Sequence, residues 1–109
     1  MTGEIEPDEL ERLLEGDSPP RIVDIRSPTA FAEGHIPGSE NVPFESLADV
    51  MDELQHAEHI VTVCPHGQAS KQAVRLIESY QDIDESTRVE SLAGGLDAWS
   101  GPIESGRAG

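Results

Sequence analysis

The stretch of residues 60–80 constrains the possible fold more than any other part of the sequence. It begins with four apolar or β-branched residues at 60–63, continues through Cys64 and a short loop at 65–69, and ends in an amphipathic segment at 70–80. This succession predicts a buried strand, a tight loop and a helix. It places the thiol of Cys64 at the carboxyl end of a strand, where open α/β sheets bind their ligands.

The flanking segments alternate between helical and strand-like patterns. Helices are predicted at 7–16, 44–54 and 70–80, with a brief helical turn at 31–34 and a short helix at 96–99. Extended segments or strands are predicted at 4–6, 21–26, 40–42, 59–63 and 88–92, and a polar connection at 81–87. Alternation of this kind predicts an α/β fold with a mostly parallel sheet and right-handed crossovers.

The composition is typical of a single globular domain. The 109 residues are 36% apolar and 27% charged, which is enough for one modest core. Aromatic residues make up only 4%, so the core is expected to be aliphatic, with Trp99 sealing the sheet. No apolar run approaches the roughly 20 residues that span a bilayer, and the first residues lack the pattern of a secretory signal. We therefore expect a cytoplasmic protein with one domain at 1–100 and a flexible, Gly-rich tail at 101–109.

The chain is strongly acidic. It carries 22 acidic residues against 7 basic ones, for a net charge of -15, and Lys71 is its only lysine. This balance argues against nucleic-acid binding, which requires basic patches. It resembles the composition of proteins from salt-loving archaea, the alternative being an acidic protein without salt adaptation. In the first case stability is expected to fall when salt is removed, because concentrated salt screens surface repulsion within about 3 Å.

The cysteine and histidine content excludes several kinds of site. Cys64 is the only cysteine, so the chain has neither an internal disulfide nor a zinc site built on several thiolates. His56 and His59 are three residues apart but have no third ligand nearby in the sequence, so solvated histidines are favoured over a metal site. His35 is expected to pack or hydrogen-bond within its turn. No cofactor is expected.

Three stretches, in the right order along the chain, resemble the signatures of the rhodanese-like family. The first comprises DIR at 24–26 and FAEGHIPGSENVP at 31–43, the second is CPHGQAS at 64–70, and the third is LAGGLDAW at 92–99. The resemblance implies a sheet of about five strands flanked by helices, and sulfur transfer through a persulfide on Cys64. The leading hypothesis is a sulfurtransferase that takes sulfane sulfur from a donor such as thiosulfate. Its acceptor would be a thiol, cyanide or a protein.

Ala69 departs from the family pattern. Many active members carry arginine or a hydroxyl residue at this position, and arginine offers a fork of donors to a sulfonate. Ala69 offers no side-chain donor, which leaves open whether thiosulfate is used efficiently. Related phosphatases and arsenate reductases close a longer loop with an arginine that neither Ala69 nor Ser70 supplies. The alternatives to sulfur transfer are a non-catalytic binding or regulatory module and a redox-sensing thiol.

The residues after Cys64 suit the chemistry of a sulfur anion. The backbone N–H groups of residues 66–70 can form a nest around the sulfur and stabilise its charge. Gly67 permits unusual backbone angles, Pro65 adds rigidity without an N–H, and Ser70 is suited to capping the helix or donating to substrate. The predicted site consists of catalytic Cys64 and the substrate-binding residues Pro65, His66, Gly67, Gln68, Ala69, Ser70, Lys71 and Arg26.

Structural roles compete with these functional ones. Cys64 is of a type that is often buried in cores. A solvated loop position is favoured for His66 over a role as catalytic base, whereas Lys71 is equally compatible with a solvated cation and with attraction of an anion. Asp24 and Arg26 are expected to tie neighbouring loops together by hydrogen bonds.

Overall fold

The sheet has five parallel strands, with the predicted cysteine-bearing strand at its centre. The computed structural model describes residues 3–80, 83 and 86–106. The strands are β1 (Gly3–Ile5), β2 (Arg21–Asp24), β3 (Glu40–Asn41), β4 (His59–Val63) and β5 (Arg88–Leu92). Their order is β1-β5-β4-β2-β3, and every pairing is parallel. The predicted α/β class and parallel sheet are therefore confirmed.

Helices connect the strands and cover both faces of the sheet. The α-helices are α1 (Pro7–Leu14), α2 (Pro28–Glu33), α3 (Met51–Leu54) and α4 (Gln68–Ser79), and 3₁₀ helices occupy Phe44–Val50 and Leu96–Ala98. Both α1 and α2 begin at a proline, whose fixed φ suits the first helical turn. No helix in the described ranges is long and apolar enough to cross a membrane.

Several predicted boundaries were wrong for local reasons. Residues 44–50 form 3₁₀ turns rather than the first part of a helix over 44–54. Here Phe44 N donates to Ile25 O (3.1 Å), so the backbone is tied to the end of β2. Residues 28–33 form a full helix rather than a turn at 31–34, because the Ser27 hydroxyl caps it by accepting from Ala30 N.

Strand β2 ends at Asp24 rather than at residue 26. The Asp24 carboxylate accepts from Arg26 N (3.0 Å), which takes that amide out of the sheet. The predicted connection at 81–87 falls partly on residues 81, 82, 84 and 85, which lie outside the described residues.

Side chains on the two faces of β4 enter two separate apolar clusters. Ile60 faces a cluster formed with Leu54 of α3 and the inner side of α4. Val61 and Val63 face the other cluster, which includes Leu10 of α1 and Trp99. Each fully buried aliphatic side chain contributes about 1.5–3 kcal/mol, so this alternation anchors the strand firmly. Trp99 is buried (8% exposed), which confirms its predicted core role.

The segment after Trp99 returns to α2 and the turn that follows it. His35 and Glu104 exchange backbone hydrogen bonds of 2.9 Å, and Gly106 N donates to Ala32 O at the same distance. The His35 ring stacks on Phe31 with centroids 3.7 Å apart, which confirms its predicted packing. The mobility predicted for 101–109 stays a prediction, and residues 107–109 lie outside the described residues.

His59 is not the solvated residue that the sequence suggested. Its side chain is 15% exposed, and its Nε2 lies 2.7 Å from Glu90 Oε1. The reason is the parallel register of β4 and β5, which sets His59 opposite Arg88, two residues before Glu90. Within the described ranges, no three His, Cys, Asp or Glu side chains cluster as a metal site requires.

Candidate active site

Cys64 follows the last residue of β4, at the carboxyl edge of the sheet. Its Sγ accepts hydrogen bonds from the backbone N–H groups of Gly67 (2.9 Å) and Ser70 (3.3 Å). The sulfur also lies 3.3 Å from the Ser70 hydroxyl oxygen. These groups stand at the start of α4, where the helix dipole favours negative charge. The arrangement is therefore suited to holding a sulfur anion.

Gly67 provides the backbone geometry of this cradle. It is the N-cap of α4 with φ of 92°, a left-handed conformation that side chains disfavour. A Cβ at this position would also lie 3.1 Å from Gly94 N. The sequence suggested Ser70 as a possible helix cap, but it is the third residue of α4. Because Gly67 has no side chain, the sulfur of Cys64 takes the place of the usual capping acceptor.

The third signature supports the loop from behind. Leu96 N donates to Cys64 O (2.8 Å), and Asp97 N donates to Pro65 O (3.1 Å). Gly95 packs so closely that a Cβ there would lie 2.6 Å from His66 N. The carbonyls of Cys64 and Pro65 are thus held by the second 3₁₀ helix, while the N–H groups of Gly67 and Ser70 donate to the sulfur. Sequence reasoning placed Gly94 and Gly95 in the third signature but did not predict these hydrogen bonds.

Thr62 connects the central strand to the first turn of α4. The buried Thr62 hydroxyl donates to Ser70 O (2.8 Å). This bond holds Ser70 in place, and the N–H and hydroxyl of Ser70 both lie at the sulfur. Sequence reasoning missed Thr62, although a hydroxyl inside an apolar run was the available signal. The neighbouring Ser91 hydroxyl is buried and has no hydrogen-bond partner among the residues that the structure describes.

His66 and Asp97 form a contact at the exposed rim of the loop. His66 Nδ1 lies 2.6 Å from Asp97 Oδ2, and the two side chains are 75% and 66% exposed. His66 is therefore exposed, as a solvated loop residue would be, and its exposure does not decide between that position and a role as catalytic base. Its partner Asp97 was not predicted, because the two residues meet only when the third signature folds onto the loop.

The other predicted cations are held by carboxylates. Arg26 donates from Nε and one terminal nitrogen to both oxygens of Asp24, and also to Gly34 O (2.7 Å). This confirms that Asp24 and Arg26 tie neighbouring loops together. The Lys71 ammonium, about half exposed, lies 3.5 Å from a carboxylate oxygen of Glu4 on β1.

The remaining predicted site residues surround the cradle. Pro65, Gln68 and Ala69 all expose their side chains to solvent. The structure therefore brings Cys64, Gly67 and Ser70 into direct contact, with the exposed residues at the rim. Cys64 itself is 2% exposed, so its sulfur lies at the bottom of the loop rather than on its surface.

Comparison with known proteins extends these observations. A family model described as Rhodanese-like domain matches residues 6–102. The thiosulfate sulfurtransferase GlpE of Pseudomonas aeruginosa is 34% identical over 97 residues, which cover 87% of this chain and 81% of that protein.

Two solved structures have closely similar folds. The thiosulfate sulfurtransferase structure from Pseudomonas aeruginosa has a TM-score of 0.82 at 27% identity, covering 97% of this chain and 20% of that chain. This chain thus spans about one fifth of that protein. The rhodanese-like domain protein from Staphylococcus aureus has a TM-score of 0.81 at 26% identity, with 95% and 98% of the two chains covered.

Proposed function

The chain belongs to the rhodanese-like domain family, and from that membership we infer that it is a sulfurtransferase working through a persulfide on Cys64. The observation that carries the proposal is the pair of backbone N–H groups, from Gly67 and Ser70, directed at the sulfur. A buried core cysteine has no need of two amide donors at the start of a helix. A nucleophilic thiolate does, because its charge must be stabilised in a site that largely excludes water.

The proposed reaction has two halves. The Cys64 thiolate attacks the outer sulfur of thiosulfate, a new S–S bond forms, and sulfite leaves with the electron pair of the broken bond. An acceptor then attacks the outer sulfur of the persulfide, and the Cys64 thiolate is the leaving group. The Gly67 and Ser70 amides stabilise the thiolate before the first half and after the second. The Ser70 hydroxyl oxygen accepts from the thiol at 3.3 Å, and once the sulfur is ionised this hydroxyl can turn to donate to it.

The burial of Cys64 favours small molecules as sulfur donors and acceptors. With 2% of the residue exposed, only a slender group reaches Sγ. A disulfide-type bond is about 2 Å long, so a persulfide presents its transferable sulfur that much farther from the bottom of the site. Suitable donors are small sulfur-containing anions such as thiosulfate, and suitable acceptors are thiols, cyanide or a protein sulfur acceptor.

We place the reaction in the cytoplasm and at elevated salt. The acidic composition, with a net charge of -15, motivates the elevated salt, and the cytoplasm is carried over from the sequence expectation. Neither a nucleic acid nor a membrane is part of the proposed function.

Mass spectrometry of the intact protein tests the proposal. After treatment with thiosulfate or an organic persulfide, the wild-type protein should gain one sulfur atom and the Cys64→Ser variant none. The measurement is made at low and at high salt, with circular dichroism verifying that the protein is folded in each. A folded protein that gains no sulfur from any donor would contradict the proposal.

That negative result would favour a binding module instead. Ala69 is the residue that motivates this second candidate, since its side chain offers no donor to an anion. Retention of a partner protein by both the wild type and the Cys64→Ser variant would then be the expected observation.

A further inference from the structure

The contact between His66 and Asp97 determines which nitrogen of the imidazole is free. Asp97 Oδ2 lies 2.6 Å from His66 Nδ1, at ion-pair distance. Because an ionised carboxylate repels a nitrogen lone pair and attracts an N–H, this approach favours a proton on Nδ1. In the neutral ring, Nε2 then carries a lone pair, and it makes no hydrogen bond or ion pair within the described part of the chain. This is the tautomer of a histidine that accepts a proton from a reacting group.

Both partners are attached to the loop that holds the sulfur. His66 precedes Gly67, whose N–H donates to Cys64 Sγ (2.9 Å). Asp97 is fixed to the same loop through its own backbone, because its N–H donates to Pro65 O (3.1 Å). The imidazole, 75% exposed, thus lies at the solvent-facing rim of the loop that holds the sulfur.

The other charged or hydroxyl groups at this end of the sheet are less suited to accepting a proton. Lys71 Nζ lies 3.5 Å from Glu4 Oε2, and the Arg26 guanidinium is paired with the Asp24 carboxylate. The Ser70 hydroxyl is buried against the sulfur. Asp97 is the only charged group in contact with His66 among the described residues, and the nearest reacting group along the chain is Cys64.

We propose that His66 is a catalytic base that removes the proton from a thiol acceptor, and that Asp97 is its positioning residue. This inference rests on the proposed sulfur transfer. The acceptor thiol gives its proton to His66 Nε2, and the resulting thiolate attacks the outer sulfur of the Cys64 persulfide. A bond forms between the two sulfurs as the bond from that outer sulfur to Sγ breaks. Its electron pair passes to Cys64, and the proton on His66 is released to water.

The proposal predicts that the contribution of His66 to the transfer rate depends on whether the acceptor thiol is protonated. An alkyl thiol has a pKa near 8.5 and is mostly protonated at neutral pH, so it benefits from a base. An aromatic thiol that is already ionised at neutral pH has no proton to lose. His66 is therefore expected to matter for the first kind of acceptor and not for the second.

The test measures discharge of a preformed persulfide in a single turnover. Cys64 is loaded, the added sulfur is quantified by mass, and the protein is mixed with 2-mercaptoethanol or with thionitrobenzoate. His66→Gln should slow discharge to 2-mercaptoethanol about 100-fold at neutral pH, and Asp97→Asn about 10-fold. Discharge to thionitrobenzoate should stay within about twofold of wild type in both variants. The defect should diminish as the pH rises toward the pKa of 2-mercaptoethanol, where solution thiolate becomes abundant.

Matched controls use similar exposed residues outside the cysteine loop and the third signature. His56→Gln lies before the amino end of β4, and Asp49→Asn lies in the first 3₁₀ helix. Both should discharge to the two thiols at the wild-type rate.

Three outcomes would overturn the assignment. Equal slowing with both thiols in His66→Gln would indicate a structural role, and no slowing with either would exclude a base at this position. A wild-type protein that never loads sulfur would contradict the proposed function itself. Because loading is quantified before discharge, the failure of the base and the failure of the function are distinguished.

Discussion

Gly95 packs directly against the carbonyl of Cys64. A Cβ at position 95 would collide with Cys64 O and lie 2.6 Å from His66 N, and the residue has φ of 67°. The adjacent Leu96 N donates to Cys64 O (2.8 Å). The glycines of the third signature and the cysteine loop therefore form one structural unit. In this unit, the glycine segment supports the backbone of the loop.

Gly95→Ala is expected to damage both the fold and the site. With ψ of -163°, the backbone of Gly95 lies in a region essentially restricted to glycine, which costs another residue about 1–3 kcal/mol, and overpacking adds about 1–3 kcal/mol. Gly38→Ala is the matched control, because Gly38 has φ of 85° but no atom within 4 Å of the added Cβ. Urea unfolding should show the larger loss for Gly95→Ala, and only that variant should lose persulfide formation by mass spectrometry. Equal losses in the two variants, with persulfide retained, would contradict the role of the contact.

Ala69→Arg is expected to improve reaction with thiosulfate. Ala69 is exposed in the first turn of α4, so a guanidinium there meets no packing obstacle and offers two parallel donors to the sulfonate. A hydrogen bond to a charged group is worth about 1.5–3 kcal/mol, so KM for thiosulfate should fall about tenfold or more. Ala69→Lys supplies the charge without the fork and should give a smaller gain. An unchanged KM in both variants would mean that the donor does not approach this position.

Arg26→Ala is expected to destabilise the protein rather than weaken substrate binding. The carboxylate of Asp24 is 1% exposed, and removal of Arg26 leaves it buried without its charge partner. Such a loss costs about 3–5 kcal/mol. Arg21→Ala is the control, since its partner Glu40 is 39% exposed and the pair contributes about 1 kcal/mol or less. Chemical denaturation measures the difference, while an increased KM in folded Arg26→Ala would instead place Arg26 at the substrate.

Stability is expected to increase with salt concentration. The net charge is -15, and several of the few cationic side chains are already paired with carboxylates, including Arg26, Lys71 and Arg88. The remaining acidic groups repel one another until counterions screen their charges. In 1 M salt the screening length is about 3 Å. The thermal midpoint should rise between about 0.1 and 2 M KCl. An equal osmolality of sucrose controls for excluded solute. A midpoint that does not respond to KCl would leave the chain acidic without being adapted to salt.

Local sequence patterns were sufficient for the order of elements, the parallel sheet and the position of the reactive loop. The apolar run of β4 and the span of β5 agree with the predicted strands at 59–63 and 88–92, because burial and β-branched residues are properties of a single segment. The family resemblance was confirmed in the same way, since each of its three signatures is a contiguous stretch.

Contacts between segments that are distant in the chain were decided only by the tertiary structure. The parallel register of β4 and β5 buries His59 against Glu90, and the second 3₁₀ helix brings Asp97 to His66. Hydrogen-bond partners of this kind depend on how two segments align across the sheet, which neither segment encodes alone. By itself the sequence determined that a thiol follows a central strand at the start of a helix. The packed fold decided which amides reach its sulfur and which exposed imidazole stands beside it.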